Sequence, residues 1–285
     1  MSTMSRKFRE LLAHDNFLVL PGCYDCITGR LVERSGAGAA YMSGGATSFA
    51  YGYPDYGLIT QTEMVENAGR IATALGIPVI ADADTGYGNV LNVTRTIREY
   101  EARGVAGVHI EDQIFPKKCG HLDGKQLVPQ EEFLQKIRAA VEARRNRDFV
   151  IIARTDACAV TGFEDALARA AAAFDAGADM AFVEAIPSLE LLAEAPRRLS
   201  GPVMLNLVWN GKTPNISTAE AARMGYKAAI APGLLLRELI AACETALATF
   251  NETGLHRDLE RDWNVSDLFK SNDAEQWDAI RARYD

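Results

Sequence analysis

The stretch that decides the fold is Arg103-Gly104-Val105-Ala106-Gly107-Val108-His109-Ile110-Glu111-Asp112. A helical pattern stops at a glycine, which is the usual residue for a left-handed helix C-cap. An apolar run follows and ends in two acids. Such a run is typical of a strand in a parallel sheet that helices cover. The same helix–glycine–strand turn recurs at Ser35-Gly36, Leu75-Gly76 and Ala176-Gly177.

This unit repeats along the chain and predicts a (β/α)8 barrel of the TIM type. About eight β-type runs occur, at residues 17–21, 39–43, 78–83, 107–111, 149–154, 180–184, 202–207 and 228–232. Stretches with helical periodicity lie between them, for example at 62–75, 93–103, 131–146, 162–176 and 188–199. We expect one barrel domain over residues 1–255, with the glycine turns at its bottom face.

The last thirty residues lie beyond the repeated strand–helix units. Residues 256–285 form an amphipathic pattern that predicts a C-terminal helical extension, and its apolar positions are Trp263, Leu268, Phe269, Trp277 and Ile280. Exposed aromatic side chains on a helix beyond the barrel are typical of a subunit interface.

Composition excludes several classes of protein. The chain has 285 residues, a net charge of −8 and a pI near 5.2. It therefore lacks the basic footprint of a nucleic-acid-binding protein. No apolar run approaches the roughly 18 residues of a membrane span, and the N-terminus has no signal-peptide pattern. We expect a cytoplasmic protein.

Polar residues at the ends of the predicted strands are the candidates for chemistry, because active sites of such barrels lie at the C-terminal ends of the strands. One strand end offers Ser43-Gly44-Gly45, whose backbone N–H groups and hydroxyl suit an anionic group. Arg154 suits a substrate carboxylate, since guanidinium binds carboxylates in a bidentate manner. The full set is Tyr41, Ser43, Gly44, Gly45, Asp82, Asp84, His109, Glu111, Arg154, Asp156, Glu184 and Asn206.

Carboxylates at two strand ends predict a site for a hard cation. Asp82 and Asp84 end one strand and Glu111 ends the next, with His109 on the same side of that strand. Oxygen ligands favour Mg2+, with Mn2+ as a substitute. Asp55, in a loop after the second strand, either joins this site through water or only caps its turn.

The loop at residues 113–129 is a candidate lid, because long loops on a barrel top often close over the site. It carries Lys117-Lys118-Cys119-Gly120-His121. The flanking positive charges predict a low pKa for the Cys119 thiol. His121 either tunes this thiol or caps the loop.

In these motifs the chain resembles the isocitrate lyase/phosphoenolpyruvate mutase superfamily. The resemblance runs in order along nearly the whole chain, through Ser43-Gly44-Gly45, Asp82-Ala83-Asp84-Thr85-Gly86-Tyr87-Gly88, His109-Ile110-Glu111-Asp112-Gln113, Lys117-Lys118-Cys119-Gly120-His121, Ala153-Arg154-Thr155-Asp156-Ala157, Val183-Glu184-Ala185 and Gly211-Lys212-Thr213-Pro214. It implies a Mg2+-dependent barrel and a homotetramer in which subunit pairs exchange a C-terminal helix.

Within that superfamily, a cysteine in the loop after strand four is typical of the carbon–carbon lyases. Cys119 and the chain length imply the short lyases, which cleave 2-methylisocitrate or 2,3-dimethylmalate. Val183 stands before Glu184 where the 2-methylisocitrate enzymes typically carry proline. Trp209 is bulkier than the residue expected there, which predicts a changed second substrate pocket.

The resemblance implies the following roles. Mg2+ binds the 2-hydroxyl and one carboxylate of a 2-hydroxy di- or tricarboxylate, and Cys119 protonates the carbanion left after cleavage. Tyr41 is a candidate base. Other expected contributions come from His121 and Glu184, and, for substrate binding, from Asn206 and Thr213.

Three alternatives stay open at this point. A phosphonate mutase or hydrolase would keep the same cation site and need no thiol. A decarboxylase or hydrolase could act on oxaloacetate. A barrel without activity would show no Mg2+-dependent ligand binding.

Overall fold

The computed structural model describes residues 3–14, 17–259 and 263–285. Within them the strands form a closed parallel barrel in chain order, and β8 pairs with β1. The strands are β1 Leu18–Cys23, β2 Ala40–Met42, β3 Val79–Asp82, β4 Gly107–Glu111, β5 Val150–Thr155, β6 Met180–Val183, β7 Val203–Asn206 and β8 Ala228–Ala231. The predicted (β/α)8 barrel is confirmed.

Helices precede, separate and follow the strands along the chain. They are α1 Met4–Ala13, α2 Cys26–Arg34, α3 Gly44–Ala50, α4 Gln61–Ala74, α5 Val90–Ala102, α6 Gln130–Ala143, α7 Phe163–Asp175, α8 Leu189–Arg198, α9 Thr218–Met224, α10 Leu234–Thr253, α11 Val265–Lys270 and α12 Ala274–Arg281. Several begin at a capping box, in which the first and fourth residues satisfy each other's backbone N–H groups. Thr60 and Glu63 do so at the start of α4.

The barrel interior is filled at its lower end. Leu20, Ile80, Ile152 and Met180 are fully buried there, and Phe8 of α1 belongs to the same apolar cluster. Burial of apolar side chains on this scale is the main stabilising term of the fold. Phe8 thus packs α1 against the interior of the barrel.

The predicted glycine turns hold at three of the four positions. Gly36, Gly104 and Gly177 have φ of +85°, +81° and +98°, the left-handed region that glycine reaches without strain. The prediction is wrong for Gly76. α4 ends there in extended backbone at Leu75, and the N–H of Gly76 donates to Glu33 Oε1 at 2.7 Å.

The chain divides into two compact units, one through Leu236 and one from Arg237 to Asp285. The second unit holds α11 and α12, on which Leu268, Phe269 and Trp277 are exposed. The predicted boundary after residue 255 stays a prediction, and residues 260–262 of the predicted extension lie outside the described part. No helix of the described residues is long and apolar enough to span a membrane.

Candidate active site

Polar side chains from the ends of β2, β3, β5, β6 and β7 surround one cavity of about 390 Å3. Among the predicted site residues, its walls contain Tyr41, Ser43, Gly45, Asp55, Asp82, Cys119, His121, Arg154, Glu184 and Asn206. Gly44, Asp84, His109 and Glu111 are buried beside these residues. Thr213 is buried too, but it does not line the cavity.

Three buried carboxylates lie at the ends of β3 and β4. The backbone N–H groups of Gly44 and Asp84 donate to Asp82 at 3.2 and 3.0 Å. Burial alone would raise the pKa of Asp82, but nearby His109, Lys117 and Arg154 outweigh it and lower the pKa to about 2. Burial raises the pKa of Asp84 to about 6, and that of Glu111 well above its ordinary value.

This donor set fits a hard cation. Glu111 Oε1 is buried and accepts no hydrogen bond, and a buried acceptor without a partner is costly. Burial and the neighbouring carboxylates raise the pKa values of Asp84 and Glu111, so a bound cation would stabilise their ionised forms. In the described chain no three acids, histidines or cysteines converge tightly enough to form a complete metal cage. Mg2+ would therefore keep several water ligands, as it usually does.

Lys117 supplies positive charge to the cluster. Its Nζ lies 2.9 Å from Asp84 Oδ1 and also pairs with Asp55. Burial would lower the pKa of Lys117, but these two carboxylates raise it well above the ordinary value. The lysine is therefore charged, and it ties the loop after β4 to the barrel mouth. From the sequence we expected the charge of Lys117 to act on the Cys119 thiol instead.

Arg154 contacts three acids. Its Nε lies 3.0 Å from Asp156 Oδ2, and its two terminal nitrogens lie 3.1 Å from Glu111 and 3.6 Å from Glu184. Arg154 and Glu184 thus form a buried ion pair. The guanidinium also stacks over the Phe182 ring at 5.2 Å. These contacts fix its orientation toward the cavity.

Cys119 lies at the cavity with a protonated thiol. Burial is the main reason that its pKa is raised, and the charge of Asp55 adds to it. The predicted low pKa is therefore wrong, because Lys117 points to acids and not to the sulfur. A neutral thiol can donate a proton to a carbanion, whereas a thiolate cannot.

His121 joins the loop to β6 and β7. Its Nε2 lies 3.2 Å from Glu184 Oε1, and its Nδ1 accepts the backbone N–H of Lys212 at 2.9 Å. Asn206 donates to the other oxygen of Glu184 at 2.9 Å. Burial would raise the pKa of Glu184, but Arg154 and His121 outweigh it and hold the pKa below the ordinary range.

Tyr41 and His109 support Asp82. Tyr41 Oη lies 2.8 Å from His109 Nε2 and 3.4 Å from Asp82 Oδ2. Burial raises the pKa of Tyr41 well above its ordinary value, so the phenol is neutral. Burial lowers the pKa of His109 to about 4. A neutral phenol is a poor base, and the His109 nitrogen nearest the acids already faces Tyr41.

The Ser43–Gly45 turn begins α3, and Ser43 Oγ accepts the N–H of Ala46 at 3.2 Å. The hydroxyl is thus used as a helix cap. At Gly44 a β-carbon would lie 2.4 Å from Asp82 Oδ2, so only glycine allows this approach. Since the N–H of Gly44 donates to Asp82, Gly45, which lines the cavity, offers the N–H of this turn to an anion.

Sequence reasoning missed the apolar part of the cavity wall. Trp209, expected to change the second pocket, is 59 % exposed and does not line the cavity. The apolar wall comes instead from separate segments of the chain: Phe49, Tyr56, Leu122, Val208, Ile230, Pro232 and Leu236. No local pattern joins these residues, so only the fold reveals them.

Comparison with known proteins agrees with this geometry. A family profile described as phosphoenolpyruvate phosphomutase matches residues 8–251. The chain belongs to the phosphoenolpyruvate phosphomutase family, within the PEP mutase/isocitrate lyase superfamily.

Relatives within this superfamily are named as lyases. The 2,3-dimethylmalate lyase of Eubacterium barkeri is 46 % identical over 79 % of this chain and 78 % of its own length. The 2-methylisocitrate lyase of Aeropyrum pernix is 45 % identical over 88 % of this chain and 81 % of its own.

Solved structures of the superfamily have the same fold. An oxaloacetate acetylhydrolase with 3,3-difluorooxalacetate superposes with a TM-score of 0.95 at 37 % identity, covering 99 % of this chain and 97 % of its own. A phosphonopyruvate hydrolase with oxalate and Mg2+ gives 0.89 at 29 % identity, covering 99 % of each chain.

Proposed function

We propose that this protein is a Mg2+-dependent lyase that cleaves a 2-hydroxy dicarboxylate or tricarboxylate into a 2-oxo acid and a second carboxylic acid. The chain is a carbon–carbon lyase of its superfamily, as its named relatives support. The observation that carries the proposal is the position of Cys119, which lines the same cavity as Arg154 and Asp82.

In this proposal Asp82, Asp84 and Glu111 would hold Mg2+ or Mn2+, partly through water. When bound, the metal supplies Lewis-acid polarisation of the 2-hydroxyl and the adjacent carboxylate. The phosphonopyruvate hydrolase structure, which contains Mg2+, supports this assignment. Asp55 and His109 would not bind the metal directly. Asp55 pairs with Lys117, and His109 contacts Tyr41.

The remaining steps belong to the protein. Arg154 and the backbone N–H of Gly45 bind the carboxylate. A base takes the hydroxyl proton, and the C–C bond breaks with its electron pair left on the second fragment. Cys119 then gives its thiol proton to that carbanion as a general acid. His121 and Glu184 orient the loop and Arg154.

The cavity favours a substrate with alkyl groups. Most of its wall is apolar, and Arg154 is the permanently charged cation among the described residues that line it. Arg154 is already shared among acids, so a third carboxylate would be left without a charged partner. We therefore place 2,3-dimethylmalate-type dicarboxylates ahead of 2-methylisocitrate.

Oxaloacetate hydrolysis is the second candidate, because the oxaloacetate acetylhydrolase structure superposes so closely. Phosphonate chemistry ranks lower, since it leaves the thiol of Cys119 without a task.

The test is Mg2+-dependent release of a 2-oxo acid from 2,3-dimethylmalate, 2-methylisocitrate, isocitrate, oxaloacetate and phosphonopyruvate. The Cys119→Ser variant should lose about 100-fold or more in kcat, a usual magnitude for a missing general acid. Cys158→Ser, another free cysteine, is the matched control and should keep its rate. Turnover of phosphonopyruvate alone, or full activity of Cys119→Ser, would contradict the proposal.

We also propose that the enzyme is a cytoplasmic homotetramer. The exposed apolar residues of α11 and α12 support an exchange of the C-terminal segment between subunits. The acidic net charge of −8 argues against a nucleic-acid partner for this chain.

A further inference from the structure

Lys125 is a buried cation in the loop after β4. Its side chain is 1 % exposed, and its Nζ lies 2.8 Å from Asp156 Oδ1, a carboxylate that is itself fully buried. The same ammonium group donates to the backbone carbonyl of Gly120. A buried charge is tolerated only with partners of this kind. Its position is therefore set by these two contacts.

Asp156 is at the same time the main partner of Arg154. Arg154 Nε lies 3.0 Å from Asp156 Oδ2, and its Nη2 lies 3.3 Å from Asp156 Oδ1. The backbone N–H of Asp156 donates to Asp112 Oδ1 at 2.8 Å, which fixes the main chain that carries the Asp156 carboxylate. One rigid carboxylate thus holds both Arg154 and Lys125.

Gly120, the residue after Cys119, packs directly on this pair. A β-carbon at Gly120 would lie 2.5 Å from Arg154 Nη2 and 3.0 Å from Asp156 Oδ1. The backbone of the loop is as close to the guanidinium as a glycine permits. Lys125, further along the same loop, binds both the Gly120 carbonyl and the Asp156 carboxylate.

We propose that Lys125 is a positioning residue, whose ammonium group fastens the Cys119-Gly120-His121 segment against the Asp156–Arg154 pair. It sets the place of the Cys119 thiol without touching the substrate. The catalytic step that Lys125 would assist rests on the proposed function, but the contacts of Lys125 with Gly120 and Asp156 do not.

The first test needs no substrate. Iodoacetamide labels the ligand-free enzyme, and peptide mass spectrometry follows each cysteine separately. In Lys125→Met, Cys119 should react about tenfold faster than in the wild type, the scale expected for one lost buried hydrogen bond. Cys23, which is fully buried, should stay unreactive and so report an intact fold. The matched control is Lys136→Met, another buried lysine paired with an acid, Glu132, on α6. Equal Cys119 rates in all three proteins would overturn the proposal.

The second test separates kcat from KM on the best substrate. Lys125→Met should lower kcat by about 30-fold or more, because small displacements of a reacting group are costly, while KM changes less than about threefold. Lys125→Arg should recover part of kcat, since it keeps the charge. A loss confined to KM, or a Lys125→Arg variant no better than Lys125→Met, would argue for a merely structural role. Because labelling does not depend on turnover, a wrong substrate assignment cannot be mistaken for a failed positioning role.

Discussion

At the scale of single residues, the thiol of Cys119 owes its properties to contacts that are remote in sequence. The lysine two positions before it binds Asp55 and Asp84 instead of the sulfur. Burial then raises the thiol pKa. The sequence identifies the cysteine and its loop, but flanking charges could not predict its protonation, because neighbouring side chains in a loop need not point the same way.

Gly120 gives the sharpest prediction at this scale. In Gly120→Ala the new methyl group would meet Arg154 Nη2 at 2.5 Å and Glu184 Cγ at 2.6 Å. The loop must then withdraw, and kcat/KM should fall about 100-fold, while the thermal midpoint changes little because the barrel is untouched. Gly38→Ala is the control, since its β-carbon would make ordinary contacts at 3.5 Å or more. A Gly120→Ala enzyme of normal activity would show that the loop does not need this close approach.

At the scale of elements, the strand positions could be predicted to within about two residues because buried parallel strands are continuous apolar runs. The turn at Gly76 could not, since it depends on the carboxylate of Glu33, which belongs to a different helix. The apolar cavity wall was unpredictable for the same reason. Its members meet only when α3, the loop after β4 and the end of β8 are assembled.

Asp179 joins several elements in the lower part of the fold. It pairs with Arg9 of α1 at 2.9 Å and with Arg144 at the end of α6 at 2.5 Å, and it accepts the N–H of Ile151 in β5 at 2.9 Å. Asp179→Ala should lower the free energy of unfolding by about 2 to 3 kcal/mol, because it leaves partly buried donors unpaired.

Urea unfolding of the Asp179→Ala variant measures that loss. Glu10→Ala, which removes an exposed pair with Arg6 on α1, should be nearly neutral and serves as the control. Equal midpoints for the two variants would show that the Asp179 contacts add nothing to stability.

At the scale of the whole molecule, the second compact unit leaves aromatic surface without a covering in the single chain. Phe269 and Trp277 are 66 % and 67 % exposed. If this surface joins subunits, Phe269→Glu with Trp277→Glu should convert a tetramer into smaller species in analytical ultracentrifugation. Asp278→Asn, a polar change on the same helix, should leave the mass unchanged. A wild-type monomer, or a double variant that stays tetrameric, would remove this surface from the assembly.

The cavity is built in two parts that come from different places in the chain. The charged groups stand on strand ends, where Arg154 pairs with Glu111 and Glu184, and Asp82 accepts the N–H of Gly44. The wall that would meet the rest of a substrate comes from loops and helix starts, such as Leu122, Val208 and Leu236. Replacing a few wall residues would therefore change which acid fits without disturbing the chemistry. Evolution can therefore change the substrate of such a scaffold through its wall residues, while the charged groups at the strand ends stay the same.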